Sequence, residues 1–477
     1  MKLSFQNIFS LFFIVNAIIS ITVIILERRR PEKTIAWLLI FVVFPPLGLF
    51  LYIFAGRNWK KHKLSDENSE NTYNMVAEAL YKIKDVKYPS LIKLILNNNN
   101  SPVFIDNDIE IFNNGEEKFK ALKKCLRNAK HHIHMEYYIV KNDTIGNEIK
   151  NILIEKAKEG VEVRFIIDKV GSPTVKTSFI KDLKTAGVNV VFYTYFLAPL
   201  LRHINTQLNY RNHRKIVVID GKIGFIGGIN IGDEYLGKGP LGYWRDTHLM
   251  VKGDFVLGLQ AVFLDDFYMT KRADNSFPWY DDFENYFPTP KNEKGKVMQL
   301  VKSGPDSDNA AIMQTILKMI SLAEHHIYIT TPYFIPPTSL IDTLKISALS
   351  GVDIRILFPG RYDHFTVYYA SKTYLSELVK FGIKVYFYDS SFFVHSKLMT
   401  VDGEMSTVGT ANMDIRSFEL NYEINALIYD DKTTKALEDE FLRDLNISKR
   451  MYYEDFENIP FYKKYIEAVA RVFSNLL

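Results

Sequence analysis

The chain has 477 residues, 47% of them hydrophobic, which is enough for two domains with sizeable cores. Its 59 basic residues against 55 acidic ones leave a formal charge of +4, which argues against an electrostatic commitment to nucleic acid. A single cysteine, Cys125, excludes an intrachain disulfide, and with no site signature around it reads as a small buried hydrophobe.

Taken in order, the chain opens with apolar runs from Ile8 to Leu26 and from Thr34 to Phe54, each about long enough to span the hydrocarbon core of a bilayer. Residues 1–59 are therefore expected to carry two transmembrane helices. Only Lys2 precedes the first run as a basic residue and no small-residue cleavage site follows it, so a retained anchor is expected rather than a cleaved signal peptide. Pro45-Pro46 allows a kink or a re-entrant path in the second run. Arg28, Arg29, Arg30 and Lys33 between the runs nearly balance Lys2, Arg57, Lys60, Lys61 and Lys63 outside them, so charge alone leaves the orientation open.

Residues 60–102 read as a polar linker followed by a packing helix, with apolar residues at Met75, Leu80, Ile83, Leu91 and Leu94 and an end at the run Asn97-Asn98-Asn99-Asn100. A duplicated unit comes next. Ala129-Lys130-His131-His132-Ile133, Gly160-Val161-Glu162-Val163 and Gly187-Val188-Asn189-Val190 have counterparts in Ala323-Glu324-His325-His326-Ile327, Gly351-Val352-Asp353-Ile354 and Gly382-Ile383-Lys384-Val385. The order of helix, strand, helix, strand and hairpin predicts an α/β fold with two similar sandwich domains, over residues 103–275 and 276–477. Pro278, Pro288 and Pro290 interrupt the pattern between them. His131-His132 and His325-His326 sit at strand starts without carboxylate or thiolate spacing, and are read as structural rather than as metal ligands.

Each half ends in the same motif. NHRKIVVIDGKIGFIGGIN from Asn212 to Asn230 returns as VHSKLMTVDGEMSTVGTAN from Val394 to Asn412. His213, Lys215, Asp220, Gly227 and Asn230 match His395, Lys397, Asp402, Gly409 and Asn412 at equal spacings. The run Ile216-Val217-Val218-Ile219 predicts a strand, on which alternate residues share a face, so His213 and Lys215 point the same way. Asp220-Gly221 and Asp402-Gly403 are hairpin signals that return the chain toward the Gly/Asn cluster. An imidazole beside an ammonium and an amide suits a phosphoryl group, with a nucleophile or acid for phosphorus and donors for the charge on its oxygens. Either copy alone could be an ordinary polar residue on a sheet with a turn after it; two copies at one spacing argue for a site.

These motifs resemble the signature of the phospholipase D superfamily, His-x-Lys-x4-Asp followed by Gly-Gly/Ser/Thr-x-Asn, and both copies match it in full. The flanks GGINIGDEYLG, YWRDTHL and GTANMDIRSFELNYEINALIYD are similar to those of its bacterial cardiolipin synthases. The resemblance implies a phosphatidyltransferase of the bacterial cell membrane, multi-pass, with its catalytic part facing the cytoplasm. Phosphatidylglycerol is then the substrate and cardiolipin the product, with no nucleic-acid partner. Transfer would run through a phosphohistidine, with phospholipase D-type hydrolysis of membrane phospholipids as the alternative use of the same site. His213 is implied as the nucleophile and His395 as the acid/base; Asp246 and Glu423 are implied as the carboxylates that orient them. Lys215, Lys397, Asn230 and Asn412 would grip phosphate oxygens. Thr410 could add a hydroxyl contact where the first copy has Gly228. Asp220 and Asp402 belong to the same catalytic motif and are also placed to hold their hairpins. The chain has no Asp-rich helical motif of the CDP-alcohol enzymes, no HExxH and no phosphate loop. A mechanism without a metal or another cofactor is therefore expected. Oligomeric state is not legible. Apolar stretches before the motifs, Tyr195 to Leu201 and Phe392-Phe393, could line an acyl path if they are loops.

Overall fold

The computed structural model describes residues 87–193, 210–271, 283–290, 295–307 and 309–474, with isolated positions between 18 and 48. The two apolar N-terminal runs, apart from those positions, lie outside the described residues, as do the linker up to residue 86, the stretch Tyr195 to Leu201, and His203. Among the described residues no helix is long and apolar enough to cross a membrane. Ser65–Tyr193 with Arg211–Leu477 forms one compact unit, which carries both motifs.

Of the helix expected in the linker region, Met75, Leu80 and Ile83 lie outside the described residues; a helix is present over Pro89–Asn99, closed by Asn100 in the left-handed conformation and seated on the core through Leu91, Ile92 and Ile95. Strands of the first half are β1 (Phe104–Asn114), β2 (His132–Tyr137), β3 (Glu162–Asp168), β4 (Asn189–Tyr193), β5 (Lys215–Ile219), β6 (Ile223–Gly227) and β7 (Trp244–Gly253). Those of the second are β8 (Lys296–Ser303), β9 (His326–Thr330), β10 (Asp353–Phe358), β11 (Lys384–Phe387), β12 (Leu398–Val401), β13 (Met405–Gly409) and β14 (Asn421–Tyr429). The first sheet runs β1-β7-β6-β5-β2-β3-β4 and the second β8-β14-β13-β12-β9-β10-β11. One topology is thus used twice, as the duplicated pattern predicts. Between the neighbours in these two orders only β2-β3-β4 and β9-β10-β11 are parallel, and each of these steps is bridged by a crossover helix, as a parallel pair requires.

The β-branched runs are explained by burial on both faces. Ile216 and Val218 face a core that also holds Met298, Leu398, Val408 and Ile424 of the other half. Val217 and Ile219 face the outer helices through Phe119, Leu122, Ile149 and Phe179. In the second half Met399 and Val401 face outward onto Ile312, Leu340 and Leu375. The layers are therefore helix, sheet, shared core, sheet, helix, and the helix Phe255–Lys271 contributes Phe255, Val256, Leu259, Val262 and Phe263 to the shared core. A strand with both faces covered reads as a continuous apolar run rather than an alternation.

Both motif hairpins turn the same way. Asp220 and Gly221 have φ of 54° and 63°, Asp402 and Gly403 55° and 69°, as a type I′ turn needs at its two central positions. The Asp220 carboxylate also accepts from the backbone N–H groups of Lys130, His131 and His132, at 2.9, 2.7 and 3.0 Å. Asp402 does the same for Glu324, His325 and His326 at 2.7, 2.8 and 2.7 Å. Each motif aspartate thus ties its hairpin to the start of the neighbouring strand. Asp220→Ala or Asp402→Ala leaves three N–H groups without their acceptor and should destabilise the fold by about 1–3 kcal/mol. The measurement is a lower urea midpoint at unchanged m-value.

Candidate active site

The two halves exchange short parallel pairings just ahead of the motif histidines. Arg211–Asn212 pairs with Asn421–Tyr422 of β14, and Phe393–Val394 with Trp244–Arg245 of β7. The His213 N–H continues the first pairing by donating to the Tyr422 carbonyl at 2.9 Å, and the His395 N–H the second by donating to Arg245 at 2.7 Å. Each histidine backbone is thereby fastened to the last long strand of the other half.

The side chains cross in the same sense. His213 Nδ1 stands 2.9 Å from both carboxylate oxygens of Glu423, and His395 Nδ1 stands 2.7 Å from Asp246 Oδ2. Both carboxylates are fully buried. With Nδ1 engaged by the carboxylate, Nε2 of His213 is left for chemistry, and Nε2 of His395 is shared only with the neighbouring Lys397 ammonium at 3.1 Å. Asn421 Nδ2 donates to Glu423 at 3.1 Å and the Thr247 N–H to Asp246 at 2.7 Å, so the orienting carboxylates are themselves oriented. Tyr138 packs edge-on against His213 and Trp244 against His395, with ring centroids 4.8 and 5.2 Å apart.

His213, His395, Asn230 and Asn412 line one cavity of about 670 Å³, a size suited to a small-molecule site. Lys215 and Lys397 are buried behind this wall. Lys215 Nζ donates to the His213 carbonyl at 2.6 Å; Lys397 Nζ donates to the His395 carbonyl and lies 2.9 and 3.1 Å from its two ring nitrogens. The amide of Asn230 is occupied by the Ile139 N–H and the Tyr235 hydroxyl, at 3.1 and 2.7 Å. The side-chain oxygen of Asn412 has no partner among the described residues.

Three of the predicted site residues are placed elsewhere. Asp220 and Asp402 stand apart from the cavity, their carboxylates spent on backbone N–H groups at the hairpin ends. Thr410 does not offer its hydroxyl to the cavity: Oγ1 donates to the Ile424 carbonyl at 3.2 Å, accepts from the Ile424 N–H at 2.9 Å and hydrogen-bonds Glu423. It supports the orienting carboxylate instead of a phosphate. At the matching position of the first copy a Cβ on Gly228 would lie 2.1 Å from Asp246 Oδ1, so glycine is required there by the close approach of that carboxylate. Of the apolar pair before the second motif, Phe393 is core against Trp244 and Phe392 is exposed. His131 and His132 have their Nδ1 atoms 2.7 Å apart and His132 reaches Gln260, in a polar cluster away from the cavity. Cavity residues that motif reading missed are Tyr138, Arg211, Tyr333, Asp363 and Arg416. Arg211 had a signal, because it shares a strand face with His213 two residues on.

The electrostatics follow from burial. It lowers His213 to about 4, with Lys215 adding to the effect and Glu423 opposing it. His395 is lowered by burial and by Lys397. The ammonium groups are pulled down to about 7 at Lys215 and about 8 at Lys397, again by burial first. Burial pushes Glu423 up, but His213 and Lys215 outweigh it and hold the carboxylate below its ordinary value. An anionic phosphoryl group entering this cavity would favour every cation in it.

Sequence and structure comparisons agree with the geometry. A family model described as "Cardiolipin synthase, PLD-like domain" matches residues 122–239 and 316–445. One described as "Phospholipase_D-nuclease N-terminal" matches residues 14–57. The chain is 42% identical to the cardiolipin synthase of Halalkalibacterium halodurans, over 98% of this chain and 94% of that protein. It is 41% identical to the major cardiolipin synthase ClsA of Bacillus subtilis, over 98% of each. Among solved structures, the phosphatidylserine synthase of Haemophilus influenzae superposes with a TM-score of 0.62, covering 81% of this chain and 98% of that one at 17% identity, which shows a common fold.

Glu423→Gln and Asp246→Asn keep the shape of each pair but remove the charge that holds the imidazole. Each should lower turnover by on the order of 100-fold or more while the thermal unfolding midpoint stays close to wild type. Full activity in either folded variant would separate the carboxylates from the site.

Proposed function

The chain belongs to the cardiolipin synthase family of phospholipase D-like proteins, and from that premise we propose that it transfers the phosphatidyl group of one phosphatidylglycerol to a second, yielding cardiolipin and glycerol. The observation that carries this reading is the reciprocal crossing of the halves. It brings two imidazoles, each oriented at Nδ1 by a buried carboxylate, into one cavity.

In the mechanism we favour, His213 Nε2 attacks phosphorus and forms a phosphatidyl-histidine. His395 protonates the departing glycerol oxygen and later takes the proton of the incoming hydroxyl. The depressed affinity of His213 for protons suits the nucleophile, which must be neutral. Lys215 and Lys397 neutralise the non-bridging oxygens, with the Nδ2 group of Asn412 as a further donor, while Asn230, held by Ile139 and Tyr235, shapes the wall beside them. A divalent metal has no part in this scheme.

The anchor belongs to the same proposal. The apolar runs 8–26 and 34–54, which overlap the family match at 14–57, would span the bacterial cell membrane and hold the catalytic part on its cytoplasmic side. Residues 1–59 then serve as anchor, 60–102 as linker and helix, and 103–275 and 276–477 as the two halves. Cysteine variants at Glu32 and Ser65 test the orientation in intact cells. An impermeant thiol reagent should label Glu32→Cys and spare Ser65→Cys, and the reverse pattern would invert the topology.

The purified chain, given phosphatidylglycerol vesicles with EDTA present, should form cardiolipin and glycerol with little phosphatidic acid. Dominant phosphatidic acid would make it a hydrolase, and dependence on a divalent metal would end the mechanism. The profile of kcat/KM against pH should rise through about pH 4, as His213 gives up its proton, begin to fall below the ordinary histidine value, as His395 loses the proton it must give to glycerol, and fall further between about 7 and 8 as Lys215 and Lys397 lose theirs. An alkaline limb near the value of an ordinary lysine would show that these charges are not the ones that matter.

A further inference from the structure

A reaction between two phosphatidylglycerols brings two phosphodiesters into one cavity. The acceptor's hydroxyl must reach the phosphorus on His213, and its own phosphate lies three carbons away, roughly 6 Å at bond lengths near 1.5 Å. The histidines, lysines and asparagines of the two motifs serve the reacting phosphoryl group. A second anion that close to the first needs cations of its own, or it is repelled.

The internal repeat shows where those cations stand. Counting from the motifs, Arg211 occupies the position of Phe393, two residues before each histidine. Arg416 occupies the position of Glu234, four residues after each asparagine and the second residue of the short helix there. The cavity is otherwise built by a duplication, so the difference in charge is a departure from symmetry at the site itself. On the His213 side two guanidinium groups line the wall. At the matching places on the His395 side stand a buried phenyl ring and a carboxylate, which is itself paired with Lys141 at 2.7 Å.

We propose that Arg211 and Arg416 form a second anion subsite, which holds the phosphodiester of the acceptor lipid beside the phosphatidyl-histidine. The subsite rests on the phosphatidyl-transfer reading of the chain. Arg211 shares the strand face of His213, and both arginines line the cavity that His213 opens into. Burial lowers Arg416 below its ordinary value, the charge of Arg211 adds to this and Asp414 opposes it, and a phosphate beside the two guanidinium groups would favour both. Tyr138, which packs on His213, is hydrogen-bonded to Arg211 and so links the subsite to the nucleophile. With the acceptor's phosphate held there, its terminal hydroxyl oxygen attacks phosphorus. The O–P bond forms as the P–Nε2 bond of His213 breaks, the electron pair returns to the imidazole, and the hydroxyl proton passes to His395. Glycerol and water carry no phosphate and gain nothing from the arginines. The subsite therefore favours lipid transfer over hydrolysis.

The test compares an anionic with a neutral acceptor in the full-length enzyme in vesicles. Cardiolipin formation from phosphatidylglycerol uses the subsite, whereas exchange of labelled glycerol into phosphatidylglycerol uses the same donor and the same phosphohistidine without it. Arg416→Gln should lower the ratio of cardiolipin formation to glycerol exchange by at least about tenfold, the scale of a lost charge-assisted hydrogen bond. It should also raise the share of phosphatidic acid, and Arg416→Lys should recover part of the ratio by restoring the charge. Arg211→Gln should act in the same direction. If both rates fall together, or the ratio holds, the arginines serve the donor or the scaffold and the inference is overturned. If wild type makes no cardiolipin yet hydrolyses phosphatidylglycerol, it is the transfer reading that has failed.

Discussion

The contact on which the site depends is the crossed pair, His213 to Glu423 and His395 to Asp246. Neither half can orient its own histidine, because the carboxylate that does so stands on the last long strand of the other. The rest of the fold supplies the conditions for that crossing. The shared core fixes the two sheets against each other, and two short parallel pairings align the residue before each histidine with the strand that carries its partner. The aspartate hairpins pin the far ends of the motif strands. A single half would lose the carboxylate, the second imidazole and half of the shared core.

Burial of these pairs has a cost that the neighbours offset. Two ammonium groups and two imidazoles in one enclosed place repel one another and lose hydration, which is why all four are drawn toward their neutral forms. Glu423 and Asp246 counter part of this, and a phosphate dianion-like transition state would counter the rest. Such a site is poised: its cations are held at the edge of ionisation until an anion arrives, so it binds charge that develops on phosphoryl oxygens more strongly than charge already solvated elsewhere.

Much of this was legible in the sequence, for definite reasons. The repeated strand order could be read because β-branched runs and Gly-Val turns recur at matching places in both halves. The convergence of His213 with Lys215 could be read because alternate residues on a strand share a face. Which carboxylate serves which histidine could not, since the crossing is set by tertiary pairing between residues 149 and 210 positions apart. Thr410 misled because a hydroxyl in a phosphate motif invites a phosphate contact, whereas the fold puts its oxygen on the backbone of β14. Arg416 left no local mark, and its interest appears only when its place in the repeat is set beside that of Glu234.

The departures from symmetry bear on how a duplicated site can run an unsymmetrical reaction. A phosphohistidine mechanism asks one imidazole to be neutral while the other carries a proton, and two identical halves would give both the same affinity for it. The halves differ where the difference reaches the rings. One orienting carboxylate is a glutamate steadied by Thr410, the other an aspartate so close to the backbone that only Gly228 fits. Behind that aspartate the fully buried Lys118, bonded to the Tyr137 hydroxyl at 2.9 Å, interacts with its charge. The Glu423 side has no such lysine, because the matching helix position, eleven residues before Ala323 as Lys118 is before Ala129, holds Ile312. The symmetry of the backbone brings the two imidazoles together, and these departures from it let them do different work.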